Sequence, residues 1–309
     1  MFKKLYNQVK LDIKISPNSP LLIKSGEEGL DPTLPSMQFV RTYNKSCGET
    51  VYIPGSSLKG VLRSYVEKLL RTISSKESFC CDIFNENSTC RNAEKDDRNI
   101  PTWEIYKRNC YACKLFGSTT LASRIKVSDL YPVNTEEIKT EVRMGVAINR
   151  KKGSVAVGPF DMEIVVSGTF SGTIIIKNYQ LWQLALIGQA ILDIDSGYQQ
   201  IGYGKSRGLG FVSCKVDSIE FEYYSPMFSC LADNNIIGIG CIDEEKERYG
   251  LLEKDLLTSE VKLTPTESNP IRRVYKLEGA ENSEKLFKGI LESESYKELV
   301  SKGKSYNEG

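Results

Sequence analysis

The sequence predicts an α+β fold, because it contains both strand-like and helix-like apolar patterns. Its 309 residues are 40% hydrophobic and 26% charged, a composition that supports one large globular domain or two. Apolar residues recur at intervals of three and four in residues 58–73 and 181–191, which indicates two amphipathic helices. Near the beginning they alternate with polar residues, as in a strand, at Val9, Leu11, Ile13 and Ile15.

The alternating stretch is the first expected element, and Pro17 should end it. Lys10, Asp12 and Lys14 occupy its polar face. Residues 24–50 follow as a loop-rich connector, since Gly, Pro, Ser and Asn are frequent there.

In residues 52–63 the sequence predicts the N-terminus of a helix that could bind an anion. The segment breaks at a Pro-Gly pair and runs directly into the first helix, which Ser56 or Ser57 should cap. The N–H groups of a first helical turn have no partner within the helix, and Lys59 and Arg63 stand one turn apart beside them. A phosphate would fit this environment, and a capped helix with a solvated basic face is the alternative.

The cysteines predict a metal site. Five of the nine lie close together, and Cys110 and Cys113 have the two-residue gap that lets both thiolates bind one Zn²⁺ ion. Cys81 and Cys90 would complete a four-sulfur shell, although Cys80 is an alternative to Cys81. A redox Cys-X-X-Cys pair and unligated thiols are the other interpretations.

The expected role of this zinc is structural. The metal site lies in an insertion of about residues 78–115, within which residues 82–109 are too polar to bury a core of their own. A bound ion would therefore hold the insertion in place.

The chain contains no histidine, which excludes several kinds of chemistry. No imidazole can serve as a general base, orient a serine or cysteine nucleophile, or ligate a metal. Catalysis, if present, must use carboxylates, lysine, tyrosine, cysteine or a bound metal ion.

Three further segments are basic. Arg124 and Lys126 share one face of an edge-like strand, a spacing that can follow a nucleic-acid backbone. Between two apolar stretches, residues 149–153 form the expected tip of a projecting hairpin, which carries Arg150, Lys151 and Lys152; a solvated turn is the alternative.

The third basic segment is glycine-rich. Residues 202–210 contain four glycines, which would let the backbone approach a ligand, and Lys205 and Arg207 supply positive charge. The spacing differs from that of a Walker A loop.

The order of these motifs resembles one family. Four of them carry the likeness: Pro-Gly-Ser-Ser-Leu-Lys-Gly at 54–60, Cys-X-X-Cys-X-Leu-Phe-Gly at 110–117, Ser-Arg-X-X-Val-Ser-Asp at 123–129 and Arg-Gly-Leu-Gly at 207–210. Over about residues 1–223 the chain is similar to RAMP-superfamily backbone subunits, of the Csm/Cmr type, in type III CRISPR effector complexes, including type III-D-like ones.

The resemblance implies a ferredoxin-like, RNA-recognition-type antiparallel sheet with helices on one face, a zinc-binding insertion and a projecting hairpin. This hairpin, about residues 140–166, is called the thumb hairpin below. The implied partners are crRNA, complementary target RNA and other effector subunits stacked along the guide. Residues 52–63 would hold guide phosphates beside the 202–210 loop, and the thumb hairpin would splay the guide–target duplex. Residues 224–309 form an extension that packs on the domain, contacts a neighbouring subunit or frays.

Target-cleaving relatives carry an aspartate in the loop before the helix start, and here Ser36 aligns with it. Asp31 is the nearest substitute, with Glu27 and Glu28 further away, and it could bind Mg²⁺ or another divalent cation. A turn aspartate before a proline is the alternative. The chain is therefore expected to be a guide-binding scaffold or a metal-dependent endoribonuclease. Guide processing is disfavoured because relatives that perform it usually use a catalytic histidine, and this chain has none.

The sequence also predicts a cytoplasmic protein without membrane association. No stretch approaches the roughly 20 apolar residues that a membrane helix needs, and the first residues do not resemble a secretion signal.

Overall fold

The computed structural model describes residues 3–26, 35–45, 48–85, 90, 100–232 and 234–304. In chain order, the strands in these ranges are β1 (Asn7–Pro17), β2 (Arg41–Asn44), β3 (Gly48–Val51), β4 (Ile125–Val127), β5 (Tyr131–Pro132), β6 (Lys139–Ile148), β7 (Val155–Ser167), β8 (Phe170–Lys177), β9 (Val212–Tyr224), β10 (Asn235–Ile237), β11 (Leu256–Thr258), β12 (Thr264–Ser268) and β13 (Arg272–Glu278).

The α-helices in the same ranges are α1 (Gly55–Ile73), α2 (Thr102–Arg108), α3 (Tyr111–Phe116), α4 (Leu181–Asp195), α5 (Asp243–Tyr249), α6 (Ala280–Leu291) and α7 (Glu294–Lys304). Within the described part of the chain, none of these helices combines the length and the apolar character needed to cross a membrane.

The central sheet is antiparallel and has the strand order β12-β13-β9-β1-β8-β4, with β5 also paired to β8. Its inner strands are connected as β1-α1-β4-β8-α4-β9, which is the βαββαβ order of a ferredoxin-like unit. Helices α1, α4 and α6 pack against one another or against these strands. The predicted α+β fold is confirmed.

Strand β1 lies in the centre of the sheet and has one fully buried face. Val9, Leu11, Ile13 and Ile15 are at most 1% exposed, whereas Lys14 on the other face is exposed. The period-two pattern therefore predicted both the strand and its core face, and the strand ends at Pro17 as expected.

Helix α1 has the predicted core face, but its predicted cap is wrong. Leu58, Leu62, Val66 and Leu70 are buried, as the spacing of three and four requires. The helix begins at Gly55, and no side chain within the described residues caps it from the N-cap position at Pro54. Its first N–H instead donates to the Asp129 carboxylate at 2.8 Å, an acceptor that follows β4. Ser56 and Ser57 are left exposed on the first turn.

The insertion also differs from expectation, because part of it enters the core. Tyr106 on α2 is buried and meets the ring of Tyr249 edge-on at 5.7 Å. Tyr111 on α3 packs edge-on against Trp182 of α4 at 5.1 Å. Aromatic side chains in segment 102–116 therefore pack into the core, which the polar composition of the insertion did not indicate.

The C-terminal residues pack on the sheet, which is one of the three expected alternatives. Strand β13 pairs with β9 over residues 218–224, and β12 pairs with β13. The fully buried Asp255 carboxylate accepts hydrogen bonds from the N–H of Leu181, at the start of α4, and from the N–H of Gly240. Residues on both sides of the expected 223/224 boundary thus share one sheet and one core.

The close packing at the start of α1 makes a prediction. A Cβ atom at Gly55 would lie 2.3 Å from the carbonyl oxygen of Val127, which is backbone and cannot rotate away. We expect Gly55→Ala to lower the free energy of unfolding by about 2 kcal/mol, measured by urea titration.

Gly60 on the same helix is the matched control, because no described atom lies within 4 Å of its Cβ position. Gly60→Ala should raise the free energy of unfolding by about 1 kcal/mol through helix propensity. Equal effects of the two substitutions would contradict the packing at Gly55.

Candidate metal centre and nucleic-acid interface

The structure brings together the four cysteines that the sequence singled out. The Sγ atoms of Cys81, Cys90, Cys110 and Cys113 lie within 4.8 Å of one another, and all four residues are buried. Cys81 Sγ and Cys113 Sγ are 3.7 Å apart, which matches the roughly 3.8 Å between ligands of a tetrahedral ion with 2.3 Å metal–sulfur bonds. This group, the cysteine centre, could hold a metal ion.

Local structure explains why these thiols converge. Cys110 is the N-cap of α3, and its Sγ accepts a hydrogen bond from the N–H of Cys113 one turn later. Cys90 Sγ accepts from the N–H of Cys110 at 3.1 Å. Backbone N–H groups aimed at sulfur favour the thiolate form, which is the form that binds metals.

Cys80 is excluded from the cysteine centre by its contacts. Its Sγ donates to the carbonyl oxygen of Cys81, and it is not among the four thiols that lie within 4.8 Å of one another. The alternative that Cys80 replaces Cys81 is therefore wrong for this structure.

Arg63 connects α1 with the cysteine centre. Its guanidinium donates to the Glu67 carboxylate at 2.8 Å and to the carbonyl oxygen of Gly117, and one nitrogen lies 3.7 Å from Cys113 Sγ. Three of its donor directions are therefore used inside the protein. A phosphate contact by Arg63 stays a prediction.

The first turn of α1 is only partly open to an anion. The Asp129 carboxylate already accepts the N–H of Gly55, which places a negative charge at the helix start. Lys59 Nζ donates to Ser123 Oγ at 2.9 Å, and partial burial together with Arg63 lowers the pKa of Lys59. Lys59, the cation nearest the helix start, is thus held by a neutral partner and forms no ion pair within the described residues.

The thumb hairpin is present, with β6 and β7 paired as a separate two-stranded sheet. The Asn149 side chain accepts hydrogen bonds from the backbone N–H groups of Lys151 and Lys152, which fixes the tip. Gly153 supplies a positive φ of 65°. Arg150, Lys151 and Lys152 are exposed as predicted.

The hairpin also has an exposed apolar face that the sequence analysis missed. Met144 is 80% exposed. The signal was the period-two alternation of apolar residues along β6, which continues without a core to cover it. The face consists of Val142, Met144, Val146, Ile148 and Val155.

Arg124 and Lys126 have different environments, although both were predicted to contact RNA. Lys126 is exposed on the edge strand β4. Arg124 is 3% exposed, donates to the carbonyl oxygen of Asn178 and lies over the Tyr106 ring at 4.4 Å. Arg124 therefore does not share the exposed face of Lys126, because Tyr106 of the insertion covers it, and an RNA contact by Arg124 stays a prediction.

The glycine-rich loop packs on the protein itself rather than leaving its backbone open. A Cβ atom at Gly202 would lie 2.4 Å from the carbonyl oxygen of Leu22, and one at Gly210 would lie 2.0 Å from that of Ile201. Both glycines are therefore needed for internal contacts. Partial burial and the nearby charge of Lys68 lower the pKa of Lys205. Arg207 is exposed.

Asp31, Glu27 and Glu28 lie outside the described residues. Ser36 is described, and its backbone N–H donates to Asp161 Oδ1 at 3.0 Å while its hydroxyl donates to the Asp161 carbonyl oxygen. The hydrogen bond from the Ser36 N–H, together with the nearby Ser36 hydroxyl, lowers the pKa of the Asp161 carboxyl. Sequence reasoning missed Asp161, because it is 125 residues from Ser36 and only the fold brings the two together.

The family model of the RAMP superfamily matches residues 14–213, well over half of the chain. The chain belongs to the RAMP superfamily. RAMP proteins generally bind RNA and act in multisubunit CRISPR complexes, so membership suggests a CRISPR-associated RNA-binding role. No curated protein matches the chain significantly.

The cysteine centre makes a prediction that separates neighbouring thiols. We expect Cys81→Ser to lose most of the bound metal, because it removes one of four ligands, while Cys80→Ser keeps it. The measurement is the metal-to-protein ratio of each purified variant by inductively coupled plasma mass spectrometry. Equal metal content in both variants would disprove the assignment of ligands.

Proposed function

We propose that this RAMP protein is a guide-RNA-binding backbone subunit of a type III CRISPR interference complex in antiviral defence. The observation that carries the proposal is the thumb hairpin, which presents three exposed cations at a fixed tip and an apolar face beside them. Family membership supplies the class of ligand.

The two faces of the hairpin suit two parts of an RNA strand. Arg150, Lys151 and Lys152 neutralise phosphates, which bind without reading sequence. The apolar face packs against bases and splays the guide from the target RNA. Specificity then comes from base pairing between guide and target.

The remaining proposed RNA contacts lie on α1, on β4 and in the glycine-rich loop, and other effector subunits would complete the channel. Residues 1–223 form the proposed RNA-binding part, and β12 and β13 of the C-terminal extension, residues 224–309, support its sheet. The proposed contacts are Ser56, Ser57, Lys59, Arg63, Lys126, Lys205 and Arg207.

The proposed metal of the cysteine centre is structural Zn²⁺. Four sulfur donors in a tetrahedral spacing suit zinc, and the sulfurs are buried. The ion would join the insertion to α1, because Arg63 links Cys113 to Glu67.

A second candidate function is metal-dependent cleavage of guide-paired target RNA. It is favoured by Asp161, which lies midway along β7 of the thumb hairpin, and its carboxylate accepts the N–H of Ser36 and stays ionised at neutral pH. A carboxylate so placed, with Asp31 as the other candidate, suits Mg²⁺, which binds one or two carboxylates together with phosphate oxygens.

The scaffold function predicts a loss of affinity on neutralising the hairpin tip. We expect Arg150→Gln combined with Lys151→Gln and Lys152→Gln to weaken binding of single-stranded RNA of any sequence. The slope of log affinity against log salt should fall by about 2, at roughly 0.7 per lost phosphate contact. Fluorescence anisotropy at several salt concentrations measures both the RNA affinity and its salt dependence.

A charge-matched control is the triple variant Lys285→Gln, Lys288→Gln and Lys297→Gln, on exposed positions of α6 and α7. It should leave the slope unchanged. Loss of affinity for one RNA sequence alone would mean that the tip reads bases.

The second function predicts that Asp161→Asn slows target cleavage. In the assembled complex with matching RNA and Mg²⁺, we expect the rate to fall by at least about 100-fold, the effect of a positioned catalytic group. Glu141→Gln, on an exposed position of the same hairpin, is the control. If Asp161→Asn and Asp31→Asn both leave the fragment pattern and rate unchanged, cutting belongs to another subunit.

A further inference from the structure

A cavity of about 160 Å³ lies at the edge of the sheet, where three chain segments meet. Four of the residues lining it are cations, and no carboxylate within the described residues lines it. We call it the cationic pocket, and its charged residues are Lys3, Lys4, Arg124 and Lys177.

The cationic pocket is built around a fixed guanidinium. Arg124 is 3% exposed, donates to the carbonyl oxygen of Asn178 and stacks on the Tyr106 ring. The N–H of Lys177 donates to the Arg124 carbonyl oxygen at 3.1 Å, which ties the two segments together. The guanidinium is thus oriented before any ligand arrives, which reduces the entropy lost on binding.

Asn178 fastens the N-terminal segment onto the cationic pocket. Its side-chain amide donates to the carbonyl oxygen of Lys4 and accepts from the N–H of Tyr6, both at 2.9 Å. Its φ of 49° lies in the left-handed region, which costs a non-glycine residue of order 1 kcal/mol. This backbone strain is maintained at the point where Lys4 and Lys177 are brought beside Arg124.

The charge of the cationic pocket indicates an anionic ligand. Among the described residues, no acidic side chain forms an ion pair with Lys3, Lys4 or Lys177. Like charges brought together repel, so a bound anion stabilises the arrangement. The volume is below the roughly 300 Å³ at which sites for drug-sized ligands begin, which favours a single phosphate group over a whole nucleotide.

We propose that the cationic pocket binds one phosphate group of single-stranded RNA. The inference rests on the proposed RNA-binding function. The pocket adjoins two segments that the proposal already places along RNA. Lys126 follows Arg124 by two residues and is exposed on β4, and Ser123, which lines the pocket, accepts a hydrogen bond from Lys59 of α1.

The test uses the full chain with Lys4→Gln combined with Lys177→Gln, which leaves the buried Arg124 in place. The charge-matched control is Lys262→Gln combined with Lys285→Gln, on exposed positions in the C-terminal residues. Binding of a labelled single-stranded RNA is measured by anisotropy across a range of salt concentrations, and circular dichroism checks folding.

We expect the pocket variant to bind RNA about 10-fold more weakly than the control. Its salt slope should fall by about 0.7, because one phosphate contact is lost although two charges are removed. Unchanged affinity and slope in the pocket variant, with binding by the wild-type chain intact, would overturn the pocket inference and leave the proposed function standing.

Two further outcomes separate the sources of phosphate. Inorganic phosphate that raises the melting temperature of the wild-type chain but not of the pocket variant, while RNA affinity is the same in both, would assign the pocket to free phosphate and overturn the RNA inference. A wild-type chain that binds no RNA at any salt concentration would overturn the proposed function and, with it, this inference.

Discussion

The close contact between the first residue of α1 and the β4–β5 connection positions the helix that reaches both the cationic pocket and the cysteine centre. Gly55 lets the helix begin against the backbone at Val127, and the Asp129 carboxylate holds its first N–H. Because α1 is rigid over its 19 residues, its start determines where the following turns point. One turn later Lys59 reaches Ser123, and a further turn later Arg63 reaches Cys113. The sheet edge, the cationic pocket and the cysteine centre are therefore positioned by one helix.

The basic residues divide into those whose charged groups the protein itself holds and those whose charged groups are exposed. Arg63 and Arg124 are used internally, which suits a guanidinium, because its five donors can satisfy several carbonyl oxygens at once. The cations at the hairpin tip are exposed, and the tip is shaped by an asparagine rather than by an acidic residue. The backbone turn is thus fixed without neutralising the charges it presents.

Local patterns predicted the elements that local physics determines. The alternation at residues 9–15 predicted β1 and its buried face, and the spacing of three and four predicted α1 and α4. The Cys-X-X-Cys spacing predicted that two thiols come together with Cys81 and Cys90, and the structure achieves this with the first turn of α3.

The errors arose where a distant residue changed the environment. The serine caps on α1 were plausible, but an acceptor 74 residues away replaced them. Arg124 has the spacing of an exposed strand residue, and only the folded insertion, through Tyr106, shows that it is buried. The C-terminal strands were missed because β12 is short and mostly exposed, so its pattern carries no core face. Such pairings depend on the whole fold and leave no periodic signal.

The C-terminal residues form part of the central sheet. The family match ends at residue 213, just inside β9, yet β13 pairs with residues 218–224 of that strand and protects what would otherwise be an open edge. Burial raises the pKa of Asp255 to about 6, above the roughly 3.9 of an exposed aspartate, so its contribution to stability is greatest at low pH and declines as pH rises from about 4 to 6. At neutral pH the ionised carboxylate therefore costs stability, which its hydrogen bonds with Leu181, Gly240 and Ser295 offset in part. The Asp255 carboxylate positions the C-terminal residues, because it joins them to the start of α4, the helix that packs against α1.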